Sequence, residues 1–329
     1  MEGTVLAGRT RPNAAAHRCW LLRVVTTLLT YATLVAVGIL LILPFFWMVT
    51  TSVKRSGLEL AWPPQWIPNP LVLGTYVDVF RLQPFLLWTQ NTLIIAVTAT
   101  VGSLLTSSMV AFGFARLRFP GRDLLFGVLL STLMLPSAVT LIPSFLILKS
   151  LHWIDTFLPL IVPSWLGGGA FNIFLIRQFF MTIPYELDEA ARIDGASSWR
   201  IWLQVLLPLC QPVLATIAVF AFIANWNDFM GPLIYLRSLD KRTIALGPMS
   251  FQPNNTAIRW NLLMAASATA TYPIVVLFFA CQRYFMQGIV MTGMSGRLKR
   301  SPSRAHVREP VSVSLYEEEN GVKWTTRLT

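Results

Sequence analysis

Six long apolar stretches alternate with more polar stretches along the chain. They predict membrane spans at about 24–50, 87–112, 124–148, 157–177, 202–226 and 261–283. A helix needs roughly 20 residues to cross about 30 Å of hydrocarbon, and each stretch is at least that long. The spacing therefore predicts an all-α membrane protein with six transmembrane helices. Tryptophans near the ends of these stretches, such as Trp88 and Trp226, suggest an aromatic belt at the membrane surface.

The composition supports a membrane protein. Hydrophobic residues make up 54% of the chain, charged residues 12%, and the mean hydropathy is +0.59. A net charge of +11 is also typical of proteins that bind nucleic acid. However, the basic residues lie in loops and tails rather than on one face, so we expect the lipid bilayer, and no nucleic acid, as the partner. Cys19, Cys210 and Cys281 lack metal-ligand spacing, so we expect no metal site.

The distribution of lysine and arginine predicts the orientation. If the amino terminus is inside, most of the 26 basic residues fall on the inner side, including Arg116, Arg118 and Arg122 in one short loop. Both termini are then cytoplasmic. We divide the chain into an N-terminal cytoplasmic tail (1–23), a transmembrane domain (24–296) and a polar C-terminal tail (297–329) that we expect to be disordered.

The most polar stretch inside the membrane domain, residues 184–208, predicts a short helix followed by a turn. Pro184 suits a first helical turn, and acidic residues follow it at the positive end of the helix dipole. Asp188 and Arg192 are four apart, with the acid first, which favours a surface ion pair. Gly195 can adopt the left-handed conformation that ends a helix.

Within this stretch, Glu189-Ala190-Ala191 is followed by Gly195 and, after nine intervening residues, by Val205-Leu206-Leu207-Pro208. The pattern resembles the EAA loop of ABC-importer permeases, and the surrounding residues resemble the carbohydrate (maltose-type) branch. The similarity extends over roughly residues 20–296. It implies the type I ABC importer permease fold, in which the loop is a cytoplasmic coupling helix that docks into a groove on the ATPase subunit.

The resemblance assigns coupling to the ATPase to six residues. Glu189 would make a polar contact with the ATPase, two alanines would permit close approach, and the glycine would set the turn. The set comprises Glu189, Ala190, Ala191, Asp194, Gly195 and Pro208. The alternative is an amphipathic helix at the membrane surface that only joins two spans.

The resemblance also implies partners. They are a second homologous permease, two ATP-binding subunits and an extracytoplasmic sugar-binding protein, all at a bacterial or archaeal cytoplasmic membrane. The chain would form half of the translocation pathway of a carbohydrate importer and would not be an enzyme. No phosphate-binding glycine loop followed by lysine occurs in the sequence, so we expect this chain to bind no cofactor and the partner ATPase to use the ATP.

The alternative function is a self-contained secondary carrier in which the loop is only a connector. Proton-driven carriers often place Asp, Glu or His inside their spans as relays, and the predicted spans lack these residues. This absence argues less strongly against a sodium-driven carrier, because backbone carbonyls can form sodium sites.

Polar residues within or at the ends of spans are candidates for the translocation pathway, because each needs a partner or a wet path inside hydrocarbon. For Asn91 and Asn172, hydrogen bonding between helices is an equal alternative. Asp228 ends a W-N-D motif of the same permease branch, and capping a helix is its alternative role. Gly167-Gly168-Gly169 favours close helix packing. The candidate set is Asn91, Asn172, Asn225, Trp226, Asn227 and Asp228.

Overall fold

The computed structural model describes residues 14–59, 61–252 and 259–294, and these residues form helices and loops without a strand. The prediction of an all-α protein is confirmed. The chain divides into two units, Met1–Gly288 and Ile289–Thr329, and the contacts described below lie in the first. The α-helices are α1 (Ala14–Ser52), α2 (Gly74–Leu82), α3 (Phe85–Arg116), α4 (Arg122–Ser131), α5 (Ser137–Ser150), α6 (Leu158–Trp165), α7 (Ala170–Thr182), α8 (Glu186–Ile193), α9 (Ser198–Arg200), α10 (Leu207–Leu209), α11 (Gln211–Trp226), α12 (Met230–Tyr235) and α13 (Trp260–Met294).

Tighter and wider helical turns connect some of these elements. The 3₁₀-helices are Thr132–Met134, Leu239–Lys241 and Ile244–Phe251, and a π-helix spans Ile201–Leu206. α1 begins at Ala14, well before the predicted span boundary. The rest of the predicted N-terminal tail and the whole predicted C-terminal tail lie outside the described residues.

Within the described residues, four apolar helical segments are long enough by length and composition to cross a membrane. These are Leu22–Ser52, Phe85–Arg116, Leu158–Thr182 and Trp260–Gln282. Two further apolar segments are bent pairs of helices, so the count rises to six if each pair is one span. The structure thus gives four to six candidate spans at the predicted places.

The predicted span at 124–148 consists of two helices that meet at 101°. The bend lies at Leu135 and Pro136, both of which have extended backbone conformations. A proline ring disfavours the helical conformation of the residue before it, so the helix ends there. The predicted span at 202–226 is also bent, by 81°, at Cys210 between α10 and α11. Hydropathy alone predicted both as single spans.

α3 lies at the centre of the packing, against α6, α7 and α11. Small residues on α3 permit these close approaches. A Cβ on Gly168 would lie 2.3 Å from the carbonyl oxygen of Ser103, and a Cβ on Gly102 would lie 2.3 Å from the Trp165 indole. Gly168 therefore packs closely onto α3, as expected, but it does so from a break between α6 and α7 rather than from within a helix.

Two separate apolar clusters form at opposite ends of α3. Phe85 and Trp88, near its first turn, belong to a cluster with residues of α11, α13 and the 3₁₀-helix Ile244–Phe251. Ala111 and Phe112, near its last turns, belong to a second cluster with residues of α7 and the π-helix. We call these ends of the molecule the Phe85 end and the Arg116 end.

Candidate functional site

The helix predicted between the fourth and fifth spans is present as α8, and it ends as expected at Gly195. Gly195 has a φ of +80°, which is a left-handed conformation that favours glycine. Its N–H donates to the Arg192 carbonyl oxygen at 3.0 Å, and the N–H of Ala196 donates to the Ala191 carbonyl oxygen at 2.9 Å. These two bonds form a Schellman motif, which satisfies carbonyls that a helix end would otherwise leave unpaired.

α8 has an outward face and an inward face. Glu189, Ala190 and Ile193 are exposed, and 87% of the Ile193 surface is accessible. Asp188 is buried, and Ala191 is partly buried against the cluster at the Arg116 end. The predicted Glu-Ala-Ala triplet is therefore divided: its first two members face outward, while Ala191 helps to pack α8 onto its own chain.

The prediction of a surface ion pair between Asp188 and Arg192 is wrong. Asp188 is 1% exposed, and its Oδ2 lies 3.1 Å from Nε of Arg116, the last residue of α3. The contact is an ion pair whose geometry is not that of an aligned hydrogen bond. The local spacing favoured a pair within the helix, but the fold brings a distant arginine to the buried side of α8.

Burial raises the pKa of the Asp188 carboxyl, and the positive charges of Arg116 and Arg192 oppose this shift. Removing the carboxylate from water disfavours its charged form, so its ionisation depends on the nearby guanidinium groups. Sequence reasoning placed Arg116 only in a basic loop. The one indication of its role was its position directly after a long apolar stretch.

Beyond Gly195 the chain enters a second apolar segment through a short helix and a π-helix. The Ser197 hydroxyl accepts a 3.4 Å hydrogen bond from the Arg200 N–H and caps the first turn. Trp199 is exposed, whereas Trp202 is buried in the cluster at the Arg116 end. Pro208 is exposed within α10. Asp194 is exposed at the C-terminal cap of α8.

The candidate pathway residues have different surroundings. Asn91 is buried, and its Nδ2 donates to the carbonyl oxygens of Asp240 at 2.7 Å and Arg242 at 3.0 Å. Asn172 is half-buried, and its Nδ2 donates to the Gly168 carbonyl oxygen at 2.8 Å and to Ser103 Oγ at 3.0 Å. Both amides therefore connect segments of the protein.

The residues at the end of α11 also differ from one another. Trp226 is buried and donates from Nε1 to the Ala270 carbonyl oxygen at 3.1 Å. Asn225 donates to the Ala221 carbonyl oxygen within its own helix at 2.7 Å. Asn227 is exposed. Because Trp88 is fully buried as well, these two tryptophans do not belong to a surface belt.

Asp228 accepts a hydrogen bond from the Gly231 N–H through Oδ1 at 3.1 Å, at the start of α12. An acidic side chain there satisfies a backbone donor at the beginning of the helix. An open apolar cleft lies elsewhere, between α1, α2 and α13, and Phe45, Tyr76 and Tyr272 help to line it. None of the candidate pathway residues lines this cleft.

Comparisons with known proteins agree with this architecture. Residues 103–290 match the family model described as the inner membrane component of binding-protein-dependent transport systems. The arabinooligosaccharides transport system permease protein AraQ of Halalkalibacterium halodurans is 34% identical over 252 residues, covering 75% of this chain and 86% of that protein. The sn-glycerol-3-phosphate transport system permease protein UgpE of Salmonella typhimurium is 38% identical over 208 residues, covering 63% of this chain and 73% of that protein.

A solved structure has the same fold. A chain of a bacterial ABC transporter involved in the import of the acidic polysaccharide alginate aligns with a TM-score of 0.72 and 22% identity. The alignment covers 84% of this chain and 100% of that chain.

The helical fold and these relatives define a membrane-embedded transport subunit rather than an enzyme. The chain belongs to the family of inner membrane components of binding-protein-dependent transport systems, and it is an ABC transporter permease. The family resemblance seen in the loop sequence is confirmed. Membership also favours the importer over a self-contained secondary carrier.

Proposed function

We propose that this chain is the permease subunit of an ATP-driven carbohydrate importer and that α8 docks on the ATPase. Relatives named for arabinooligosaccharides and for sn-glycerol 3-phosphate support a polyhydroxylated substrate. The observation that carries the docking proposal is the division of α8 into two faces. Glu189, Ala190 and Ile193 face outward, while buried Asp188 holds the opposite face to α3.

The outward face of α8 suits protein docking. Ala190 adds little bulk, so a partner can approach the helix closely, and Ile193 offers an apolar side chain that is 87% exposed. Glu189 can make a polar contact at the edge. The Schellman motif at Gly195 stops the helix sharply, so Asp194 and the next helix leave in a new direction.

We assign both termini and α8 to the cytoplasm, with each bent helix pair counted as one of six spans. Arg116 supports this orientation because its contact with Asp188 places α8 at the same end of α3 as the basic loop. Basic loops of this kind favour the cytoplasmic side. The Phe85 end then faces outward, where a sugar-binding protein would deliver substrate.

The remaining partners are a second homologous permease and two ATP-binding subunits, and ATP is used by those subunits. Each permease would form half of the pathway. Asn227 and Asp228 lie at the Phe85 end next to buried Trp226, and exposed Asn227 is the member of the set best placed to meet a solute. Closure of the ATPases would move α8 and shift the permease pair between inward-open and outward-open states.

A crosslink from α8 tests this proposal. A single cysteine at exposed Ala190, in a chain whose three native cysteines are replaced by alanine, should crosslink to the ATPase in membranes that contain the importer. The yield should change when ATP is added. The matched control is a cysteine at Asp123, whose side chain is 82% exposed in the first turn of α4, next to the basic loop. Absence of a crosslink from position 190, with the ATPase demonstrated in the same membranes, would overturn the docking role.

A further inference from the structure

One guanidinium connects α3 to the loop that carries α8. Arg116 donates from Nη2 to the Ile183 carbonyl oxygen at 2.9 Å, just before α8, and its Nε lies 3.1 Å from Asp188 Oδ2 within α8. Its Cζ also lies over the Tyr185 ring, 5.4 Å from the ring centroid. Three successive parts of the loop therefore contact a single side chain at the end of α3.

The Arg116–Asp188 pair is almost fully shielded from water, with side-chain exposures of 5% and 1%. Two buried charges gain little net stability from pairing, because the loss of hydration offsets their attraction. The hydrogen bond from Nη2 to the Ile183 carbonyl oxygen fixes the orientation of the planar guanidinium, and the ion pair attracts Asp188 to that fixed group. The pair is thus better suited to fixing the position of α8 than to stabilising the fold.

The other end of α3 is attached just as specifically. Trp88, Asn91 and Thr92 lie on one face of the helix. Nε1 of Trp88 donates to the Leu239 carbonyl oxygen at 2.7 Å, and the Ile244 N–H donates to the Thr92 hydroxyl at 2.8 Å. With the two bonds from Asn91, this face holds the segment 239–244 at four backbone groups.

Between these attachments α3 is continuous. It contains no proline, whereas α1 contains Pro44 and α13 contains Pro273. The remaining candidate spans in the described part of the chain have a break or a bend. From Trp88 to Arg116 the helix extends roughly 40 Å at 1.5 Å per residue, which is the thickness of a bilayer.

We propose that α3 is the rigid element that transmits movement of α8 to the outer segment 239–244, and that Arg116 is the positioning residue at its inner end. The proposal rests on the docking role of α8. When the ATPases move α8, the Arg116 contacts carry α3 with it. The face formed by Trp88, Asn91 and Thr92 then moves the outer segment by the same displacement.

Two measurements on the reconstituted importer test this proposal. Spin labels at exposed Glu186 and Asp240 report the distance between α8 and the outer segment. This distance should be the same with and without ATP, because one rigid element joins the two sites. A cysteine at Asp240, reacted with a membrane-impermeant maleimide, reports whether the outer segment responds to ATP.

Arg116→Gln should leave the ATP-sensitive crosslink from position 190 in place while the response at position 240 falls. The ATP-dependent change in labelling rate should fall roughly 2- to 30-fold, the range found for residues that carry coupling between sites. The distance distribution between positions 186 and 240 should broaden. Arg118→Gln, in the same basic loop but exposed, is the matched control and should change neither measurement.

Arg116→Gln alone leaves the buried Asp188 carboxylate unpaired, which can impair folding. A double variant that removes both charges avoids this problem. Arg116→Gln combined with Asp188→Asn leaves no unpaired buried charge, so it should accumulate in the membrane and still lose the response at position 240. A distance that changes with ATP in the parent, or a full response in the double variant, would overturn the proposal. No crosslink from position 190 in the parent would instead overturn the docking role, and the proposal with it.

Discussion

The side-chain amide of Asn91 donates to the Asp240 carbonyl oxygen at 2.7 Å, which joins α3 to a segment 149 positions further along the chain. A second bond goes to the Arg242 carbonyl oxygen. The amide is buried, so it depends on these two carbonyls for its partners. The residue therefore acts in the architecture of the Phe85 end.

Asn91→Ala should lower the free energy of unfolding by about 1–3 kcal/mol, because it removes two hydrogen bonds made by a buried amide. Thermal unfolding of the purified protein in detergent measures this loss. Asn227→Ala, at an exposed position, is the control and should stay within about 0.5 kcal/mol of the parent. Unchanged stability in Asn91→Ala would show that the two carbonyl bonds contribute nothing.

Asp155 connects the loop between α5 and α6 to the segment after α12. Its Oδ1 accepts from the N–H groups of Arg237 at 2.9 Å and Ser238 at 3.0 Å, and its Oδ2 lies 3.3 Å from Nζ of Lys241. Hydrogen bonds from Ser238 and Arg237 lower the pKa of this carboxyl well below its ordinary value. The ionised form is therefore favoured in the folded state.

A lowered pKa stabilises the fold when the carboxyl is ionised. The stabilisation should be complete above a pH of about 4, near the unfolded pKa, and should decrease as the pH falls below it. Asp155→Asn should remove this dependence. This pH dependence is measured by amide hydrogen exchange of the segment 236–243 between pH 3 and pH 6, with each exchange rate corrected for the intrinsic rate at that pH. Asp123→Asn, in an exposed ion pair, is the control. Equal pH dependence in parent and Asp155→Asn would contradict the expectation.

Gly195 has open space around its Cβ position, but its φ of +80° is strained for other residues. Gly195→Asp should abolish ATP-driven transport while membrane insertion persists, because it adds a side chain and a charge next to the docking face. Gly195→Asn has almost the same size and tolerates this conformation better than most residues. Comparing the two variants by the crosslink from position 190 separates the effect of charge from that of size. Wild-type coupling in Gly195→Asp would contradict the docking role.

Gly168→Ala should destabilise the protein by about 1–3 kcal/mol, because the added Cβ overlaps backbone and side chain of α3. It would approach the Ser103 carbonyl oxygen to 2.3 Å and the Ser107 Cβ to 2.8 Å. Gly113→Ala is the matched control within α3, since its Cβ would meet nothing within 4 Å and alanine favours a helix. Thermal unfolding measures the stability of both variants. A Gly168→Ala variant as stable as the parent would contradict close packing at Gly168.

The amino-acid sequence was sufficient to predict the helical class, the positions of the apolar segments and α8 with its glycine stop. These features depend on local hydropathy, dipole and backbone preferences. The bend at Pro136 was not predicted, although the residue before a proline disfavours a helix. Hydropathy counts apolar residues in a segment, and it is unaffected by a change in the direction of the chain.

The contacts of Asp188 and Asn91 could be identified only from the three-dimensional fold. For Asp188 the sequence offered Arg192 four positions away, and the actual partner, Arg116, lies on another helix. For Asn91 an amide in an apolar helix was equally consistent with a solute contact or a structural bond. Long-range pairing depends on which helices become neighbours, and a single sequence does not specify this.

The carbonyl group of Gly168, at the break between α6 and α7, receives hydrogen bonds from Ser103 Oγ and Asn172 Nδ2, both at 2.8 Å. A break in a helix at membrane depth exposes carbonyl groups that would otherwise draw water inward. Here two side chains from within the protein supply the partners of that carbonyl. The chain can therefore change direction between α6 and α7 without leaving the Gly168 carbonyl dependent on solvent.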